Sequence, residues 1–204
     1  MAINMAVLLS GSGTTLENLM GCIARGDVDA TIQCVVGSRK DAFGLERARR
    51  NGIPAVAVPK RAYKDTQSFC DAIWQEVNAH PVDLVALAGF MSLLTVPANF
   101  TNRIMNVHPA LIPAFCGQGM YGHHVHEAVI DYGAKVSGAT VHFVDEHYDH
   151  GPIILQECVP VLDDDTPDTL AERVQAKERE LYPKAIQLFA EGRLRVDGRK
   201  VYVL

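Results

Sequence analysis

Short apolar runs alternate with longer amphipathic stretches through the first half of the chain. The first run is MAVLLS at residues 5–10, and apolar side chains then recur at helical spacing at Leu16, Leu19, Met20 and Ile23. This alternation of strand-like and helix-like patterns is typical of βαβ units. It predicts an α/β protein with a Rossmann-like, mostly parallel sheet flanked by helices.

The later segments continue the same alternation. Further strands are predicted at IQCVVGS, AVAVP, VDLVALAG, IMNVH, SGATVHFVDE and IILQECVPVL. Helices are predicted at about 41–50, around Trp74, within VHEAVIDYG, and from Pro167 to about Glu191. Asp197 and Gly198 separate two short extended runs and predict a small C-terminal hairpin. No repeat or linker interrupts the pattern, so we expect one domain over residues 1–204.

Composition and charge narrow the class of protein. The 204 residues are 48% hydrophobic and 21% charged, which suits a globular chain with a sizeable core. The net charge is −5 and the basic residues are scattered, so a nucleic-acid-binding protein is not expected. There is neither a signal-peptide pattern nor a run of about 20 apolar residues. The five cysteines form no C-x-x-C pair, which favours reduced thiols and a cytoplasmic protein.

A glycine-rich loop, SGSGTTL, follows the first predicted strand and opens the first predicted helix. The start of a helix presents free backbone N–H groups and the positive end of the helix dipole, so such a loop can hold an anion. The motif is neither a complete G-x-G-x-x-G nor a P-loop. A phosphate site and a tight turn that simply requires glycine are equally consistent with it.

Two polar side chains stand at the carboxyl end of the strand IMNVH. Side chains alternate along a strand, so Asn106 and His108 point to the same face, and Pro109 ends the strand. Open α/β sheets bind ligands at the carboxyl ends of their strands. An amide donor beside an imidazole suits acyl chemistry, with Asn106 and His108 stabilising an oxyanion and moving a proton. Taken alone, the two residues are better explained as an ordinary hydrogen-bonded polar pair at a strand end.

Carboxylates follow another predicted strand, in VHFVDEHYDHG. A carboxylate close to His108 would favour the protonated imidazolium. Asp149, in a loop that ends in glycine, is a plausible candidate, although any single acid here is more often a solvated loop residue. Asp145 and Glu146 lie in the same stretch.

The eight histidines raise the question of a metal site. Two groups stand out, namely His123, His124 and His126 with Glu127, and His147 and His150 on either side of Asp149. Neither group has the H-E-x-x-H pattern or a cysteine-containing zinc spacing. We therefore predict no metal site, and the absence of G-x-S-x-G disfavours a serine hydrolase.

Several segments together resemble one known family. They are SGSGTTL, LAGFMSLL, NVHPALIPAF, GATVHFVDEHYDHGPII and RVQAKERELYP, in order over nearly the whole chain. In these segments the chain resembles the folate-dependent formyltransferases, and among them the phosphoribosylglycinamide formyltransferases. The N-x-H-P and H-F-V…D-x-G-P pieces are shared with methionyl-tRNA formyltransferase and formyltetrahydrofolate deformylase, so they indicate the chemistry and not the acceptor.

The resemblance implies a reaction and its small-molecule partners. It implies the formyltransferase fold and transfer of a formyl group from 10-formyltetrahydrofolate to the amine of glycinamide ribonucleotide, in purine biosynthesis, by a monomer or homodimer without a metal. The deformylase and the tRNA enzyme would each carry an extra domain, for which 204 residues leave no room.

The resemblance also implies roles for particular residues. The catalytic set would be Asn106, His108 and Asp149, and His142 beside them would be structural. Substrate contacts would come from Gly13, Thr14 and Thr15 at the phosphate and ribose, and from Gln175 and Glu178. Mainly backbone walls for the folate pterin would come from Met91, Ser92, Leu93, Leu94, Asp145, Glu146, His147 and Tyr148.

The chain departs from the family pattern at two places, and other functions stay open. The loop CGQGMYGHH is longer than the common form and has Cys116 where proline is usual. Thr66 stands where an arginine often meets the folate tail, and Lys60, Arg61 or Lys64 could substitute. The alternatives are a 10-formyltetrahydrofolate hydrolase, a formyltransferase acting on another amine, a non-catalytic binding module, and a metal-dependent hydrolase.

Overall fold

A computed structural model describes residues 2–204, which form nine strands, five α-helices and two short 3₁₀ turns. The strands are β1 (Ile3–Leu9), β2 (Ala30–Gly37), β3 (Ala55–Ala57), β4 (Leu84–Leu87), β5 (Ile104–His108), β6 (Val136–Phe143), β7 (Ile153–Pro160), β8 (Leu194–Asp197) and β9 (Lys200–Val203). The helices are α1 (Thr14–Arg25), α2 (Phe43–Arg50), α3 (Thr66–Asn78), α4 (His123–Tyr132) and α5 (Pro167–Ala190). The 3₁₀ turns are Lys60–Ala62 and Ala98–Phe100.

The strands form a mixed sheet in the order β3-β2-β1-β4-β5-β6-β7-β9-β8. Pairing is parallel at β1–β2, β1–β4, β2–β3 and β7–β9, and antiparallel at β6–β7 and β8–β9. The predicted α/β class and the C-terminal hairpin are therefore confirmed. Helix α4 begins at His123, two residues earlier than the pattern indicated.

The chain divides into two compact units, with the boundary inside β5 after Met105. The prediction of a single domain stays a prediction. In the first unit, β1 pairs on both sides, and Met5 to Leu9 are fully buried. This explains why MAVLLS is continuously apolar, since a strand covered on both faces has no solvent side. Helix α1 packs through Leu16 and Leu19, which the helical spacing had indicated.

In the second unit, α5 packs against β6, β7 and α4. The helix begins at a capping box, because the Thr166 hydroxyl accepts from the Thr169 amide and the Thr169 hydroxyl accepts from the Thr166 amide. Pro167 occupies the first helical position, where a missing N–H costs nothing. Among residues 2–204, no helix combines the length and apolar character that a bilayer-spanning helix requires.

Candidate active site

The glycine loop of the first unit enters α1 through Gly13, which adopts the left-handed conformation with φ 76°. A Cβ here would lie 2.5 Å from the Cα of Gly44, so glycine is required by backbone approach as well as by φ. The Gly44 amide donates to the Gly11 carbonyl, and Arg47 Nε donates to the Ser12 carbonyl. The N-cap residue Gly13 has no side chain to cap α1, and the first amides of a helix lack an intrahelical partner, so they suit an anion.

In the second unit, β5 presents Asn106 and His108 at its carboxyl end, as the alternation predicted. His108 is buried, and Asn106 is partly exposed. Asp149 comes to both of them from the loop after β6. Its Oδ2 lies 3.5 Å from His108 Nδ1, and its Oδ1 lies 3.5 Å from Asn106 Nδ2. The three residues that the sequence singled out are therefore neighbours, which makes a concerted chemical role geometrically feasible.

The loop that carries Asp149 is held by close backbone packing. Asp149 has φ 52°, a left-handed conformation that aspartate tolerates better than most residues. Two residues later, Gly151 lies against β6, and a Cβ there would come 1.9 Å from the Phe143 carbonyl oxygen. A side chain at position 151 would therefore push the loop away from the sheet and displace the carboxylate.

His108 faces an oxygen acceptor at each ring nitrogen. Its Nε2 donates to the Phe115 carbonyl at 2.9 Å, while Nδ1 faces the Asp149 carboxylate. Only the imidazolium carries a proton on both nitrogens and so satisfies both acceptors. Asp149 Oδ2 in turn accepts from the Gly117 amide at 3.0 Å. The loop at 115–117 thus supplies one hydrogen-bond partner to each of these two side chains.

His142 of β6 orients the Asn106 amide. Its Nδ1 donates to the Phe143 carbonyl at 2.7 Å, so Nε2 is an acceptor, and Asn106 Nδ2 donates to it at 3.3 Å. Burial lowers the pKa of His142, which keeps the ring neutral and preserves that acceptor. The family resemblance implied only a structural role here. The geometry adds that His142 fixes which way the amide faces.

Helix α5 carries the other pair of predicted substrate contacts. Gln175 is exposed and Glu178 is half-buried, and the two lie three residues apart on one helix face. Burial raises the pKa of Glu178 to about 7, and the neighbouring Arg179 opposes the rise. This carboxyl can therefore change its charge near neutral pH, which its sequence context did not indicate.

The residues predicted to line the pterin differ in their hydrogen bonds and burial. In the segment Met91–Leu94, the Met91 amide donates to the Ser10 hydroxyl at 2.9 Å, and the Leu93 carbonyl accepts from the Cys70 thiol at 3.7 Å. Ser92 and Leu94 are buried, whereas Met91 is exposed. In the second unit, Glu146, His147 and Tyr148 are exposed. The folate-binding role of these residues stays a prediction.

Of the described residues, one group of side chains is arranged so that it could hold a metal. It consists of Asp145, His147 and His150, whose ligand atoms all lie within 4.8 Å of one another. Burial works to raise the pKa of Asp145, but hydrogen bonds from His150 and the His147 amide outweigh it and hold that pKa below its ordinary value. The sequence pattern grouped the two histidines with Asp149 and not with Asp145, because the convergence depends on how the loop turns.

The members of the first histidine group differ in their burial. His123 and His124 are exposed in the first turn of α4, but His126 is buried, and its Nδ1 has no hydrogen-bond partner among the described residues. Burial lowers the pKa of His126, with further lowering from His123 and His108. The signal that could have separated His126 from the others is its position on the apolar face of the helix, with Val125 and Val129.

Comparisons with known proteins agree with this arrangement. The model of the formyl transferase family matches residues 3–186. Phosphoribosylglycinamide formyltransferase of Escherichia coli is 36% identical over 204 residues, covering 98% of this chain and 93% of that protein. The chloroplastic phosphoribosylglycinamide formyltransferase of Arabidopsis thaliana is 40% identical over 199 residues, covering 95% of this chain and 68% of that protein.

A solved structure extends the comparison to the whole fold. The crystal structure of glycinamide ribonucleotide transformylase 1 from Symbiobacterium toebii superimposes with a TM-score of 0.93 and 44% sequence identity, covering 100% of this chain and 94% of that chain. Sequence, fold and the arrangement of strand-end residues lead to the same conclusion. The chain belongs to the formyl transferase family.

Proposed function

We propose that this chain transfers a formyl group from 10-formyltetrahydrofolate to the primary amine of glycinamide ribonucleotide, as a step of purine biosynthesis. The observation that supports it most is that the Asp149 carboxylate lies 3.5 Å from both His108 Nδ1 and Asn106 Nδ2. The relatives of this chain carry the name of that activity. The proposal includes small-molecule substrates only, a cytoplasmic location, and a monomer or homodimer.

The reaction requires a site that stabilises an oxyanion and groups that move protons. The substrate amine attacks the formyl carbon, so no enzyme nucleophile and no metal is required. The carbonyl oxygen gains negative charge, and donors aimed at that oxygen lower the barrier. His108 Nε2 already holds a carbonyl oxygen, that of Phe115, at 2.9 Å, which is a suitable distance for the developing oxyanion. Asn106 would supply the second donor.

Proton balance gives Asp149 its role. The attacking amine loses a proton, and N10 of the departing tetrahydrofolate gains one. Asp149 faces His108 Nδ1 at 3.5 Å, so its negative charge favours the imidazolium that donates to the oxyanion. The same carboxylate can accept the amine proton through water and pass it on. Asp149 would therefore act in both the charge and the proton steps.

Binding is assigned to residues outside the catalytic set. The uncapped start of α1, with Gly13, Thr14 and Thr15, would hold the ribose phosphate. Gln175 and Glu178 would contact the nucleotide. The segments Met91–Leu94 and 145–148 would line the pterin, and Lys60, Arg61 and Lys64, all exposed, are candidates for the folate tail.

The first experiment follows loss of 10-formyltetrahydrofolate by absorbance, with and without glycinamide ribonucleotide, in metal-free buffer. Strict dependence on the ribonucleotide supports the transferase. Loss of the folate without ribonucleotide would instead identify a hydrolase. No loss under either condition would refute the proposal and leave a binding module or a different amine.

Variants test the catalytic assignment. Removing an oxyanion donor typically costs about 10²- to 10³-fold in turnover, so Asn106→Ala and His108→Ala should each lose at least that much while ribonucleotide binding is largely kept. Asp149→Asn should be similarly impaired. His124→Ala is the matched control, because this histidine is exposed on α4 and should leave turnover unchanged. Near-full turnover in Asn106→Ala or His108→Ala would contradict the assignment.

A further inference from the structure

A second cluster of polar side chains lies on the loop that carries Asp149, and its members are of the types that bind metal ions. Two imidazoles and one carboxylate converge there, from Asp145, His147 and His150, with ligand atoms all within 4.8 Å of one another. We propose that these three residues bind a divalent transition metal of the zinc class. Two nitrogen ligands and one oxygen ligand, with further positions open to water, are a typical donor set for such an ion.

The distances are close to what an ion requires. Asp145 Oδ2 lies 2.6 Å from His150 Nδ1, and Asp145 Oδ1 lies 3.9 Å from His147 Nδ1. Tetrahedral zinc, with bonds of about 2.0 to 2.2 Å, separates its ligand atoms by roughly 3.4 Å. These two contacts use different oxygens of Asp145, so one oxygen must come to serve both imidazoles, and ligand atoms now within 4.8 Å of one another must approach that separation. The two imidazoles are exposed by 76% and 55%, so rotation of surface side chains can provide that change.

A backbone hydrogen bond orients the Asp145 carboxylate for metal binding. The His147 amide donates to Asp145 Oδ1 at 2.9 Å, which fixes the orientation of the carboxylate toward both imidazoles. The rings of His147 and His150 lie edge to face with centroids 5.3 Å apart. The other surface histidine group lacks this convergence, since His123 Nε2 and His124 Nδ1 each contact Glu127 but do not meet in a three-ligand group within the described chain.

Arg199 competes with the ion. Its guanidinium contacts His150 Nε2 at 3.2 Å and donates to the His150 carbonyl at 2.7 Å. Because arginine only donates, His150 Nε2 must accept, and the ring proton is then on Nδ1, facing Asp145. Metal binding at Nδ1 removes that proton, and the positive guanidinium also repels the cation. Loss of Arg199 should therefore strengthen binding, a direction that nonspecific binding to surface histidines does not predict.

The test measures binding of Co²⁺ and Zn²⁺ alone to the full-length chain without an affinity tag. Calorimetry gives the stoichiometry and affinity, and the visible spectrum of Co²⁺ reports coordination by nitrogen and oxygen. Thiolate charge-transfer bands would reveal binding at an exposed cysteine such as Cys158 instead. We expect one ion per chain. Loss of even an outer-shell partner costs about 10- to 100-fold in affinity, so His147→Ala and His150→Ala should each weaken binding at least about tenfold.

Two controls make the result decisive. His124→Ala should bind as tightly as the unmodified chain, and Arg199→Gln should bind more tightly. The inference is overturned by an absence of saturable binding, by unchanged affinity in both histidine variants, by thiolate bands, or by an Arg199→Gln variant that binds no more tightly. The measurement uses no folate or ribonucleotide, so its outcome is independent of the proposed function.

Discussion

Glu178→Gln tests the unusual environment of a carboxyl on α5. Burial raises the pKa of Glu178 from 4.5 to about 7, and Arg179 opposes that rise only in part. The folded chain thus keeps a proton at pH values where the unfolded chain has released it. Stability from this group is present below the unfolded pKa of 4.5 and is lost as the pH rises through the folded pKa of about 7.

The size of the effect follows from the shift. One pKa unit corresponds to about 1.4 kcal/mol, so the rise from 4.5 to about 7 corresponds to roughly 3 kcal/mol in the free energy of unfolding. Glu178 is half-buried, and solvent screening reduces that figure, so we expect about 1 to 3 kcal/mol. Glutamine has the same shape and no charge. The variant should therefore gain stability relative to the unmodified chain as the pH increases.

The assay is urea unfolding of both proteins at several pH values between about 5 and 8. Taking the difference between variant and unmodified chain cancels the titration of all other groups, and that difference should grow with pH. Glu172→Gln, at an exposed position of the same helix, should give a flat difference. A flat difference for Glu178→Gln as well would refute the argument from burial.

Three further changes test contacts elsewhere in the second unit. His142→Leu removes the acceptor that orients the Asn106 amide, so turnover should fall by about 5- to 30-fold, as expected for about 1 to 2 kcal/mol. KM should change little, and His142→Gln should recover part of the turnover. Gly151→Ala should lower the free energy of unfolding in urea by about 1 to 3 kcal/mol, because its Cβ would lie 1.9 Å from the Phe143 carbonyl oxygen. Gly11→Ala is the control and should lower it far less, because a Cβ there would meet no atom within 4 Å. Hydrogen bonds from Arg173 hold the pKa of Asp165 well below its ordinary value. Asp165→Asn should therefore have a lower free energy of unfolding at neutral pH in urea unfolding. That deficit should shrink as the pH falls and the unmodified carboxylate becomes protonated.

The sequence predicted the elements better than the contacts between side chains. The strand IMNVH was predicted with its observed bounds, because its apolar run ends at a proline that cannot continue the ladder. Asn106 was identified because it lies near the carboxyl end of a strand, and Asp149 because it lies in the loop after another strand. The burial of Glu178 and the orientation of the Asn106 amide by His142 could not be predicted, since both depend on which neighbouring elements cover those positions.

The hydrogen bonds around His108 explain how the proposed site can be both buried and ready for substrate. An unmade hydrogen bond at a buried group costs about 1 to 3 kcal/mol, and without substrate the Phe115 carbonyl and the Gly117 amide provide the missing partners. A formyl oxygen that replaces the Phe115 carbonyl exchanges one acceptor for another, so its binding leaves no donor unsatisfied. The exchange becomes favourable as the oxygen gains negative charge, because a charged acceptor forms the stronger hydrogen bond. His108 would therefore bind the charged oxygen of the transition state more strongly than the neutral Phe115 carbonyl that it replaces, which is the difference in binding that catalysis requires.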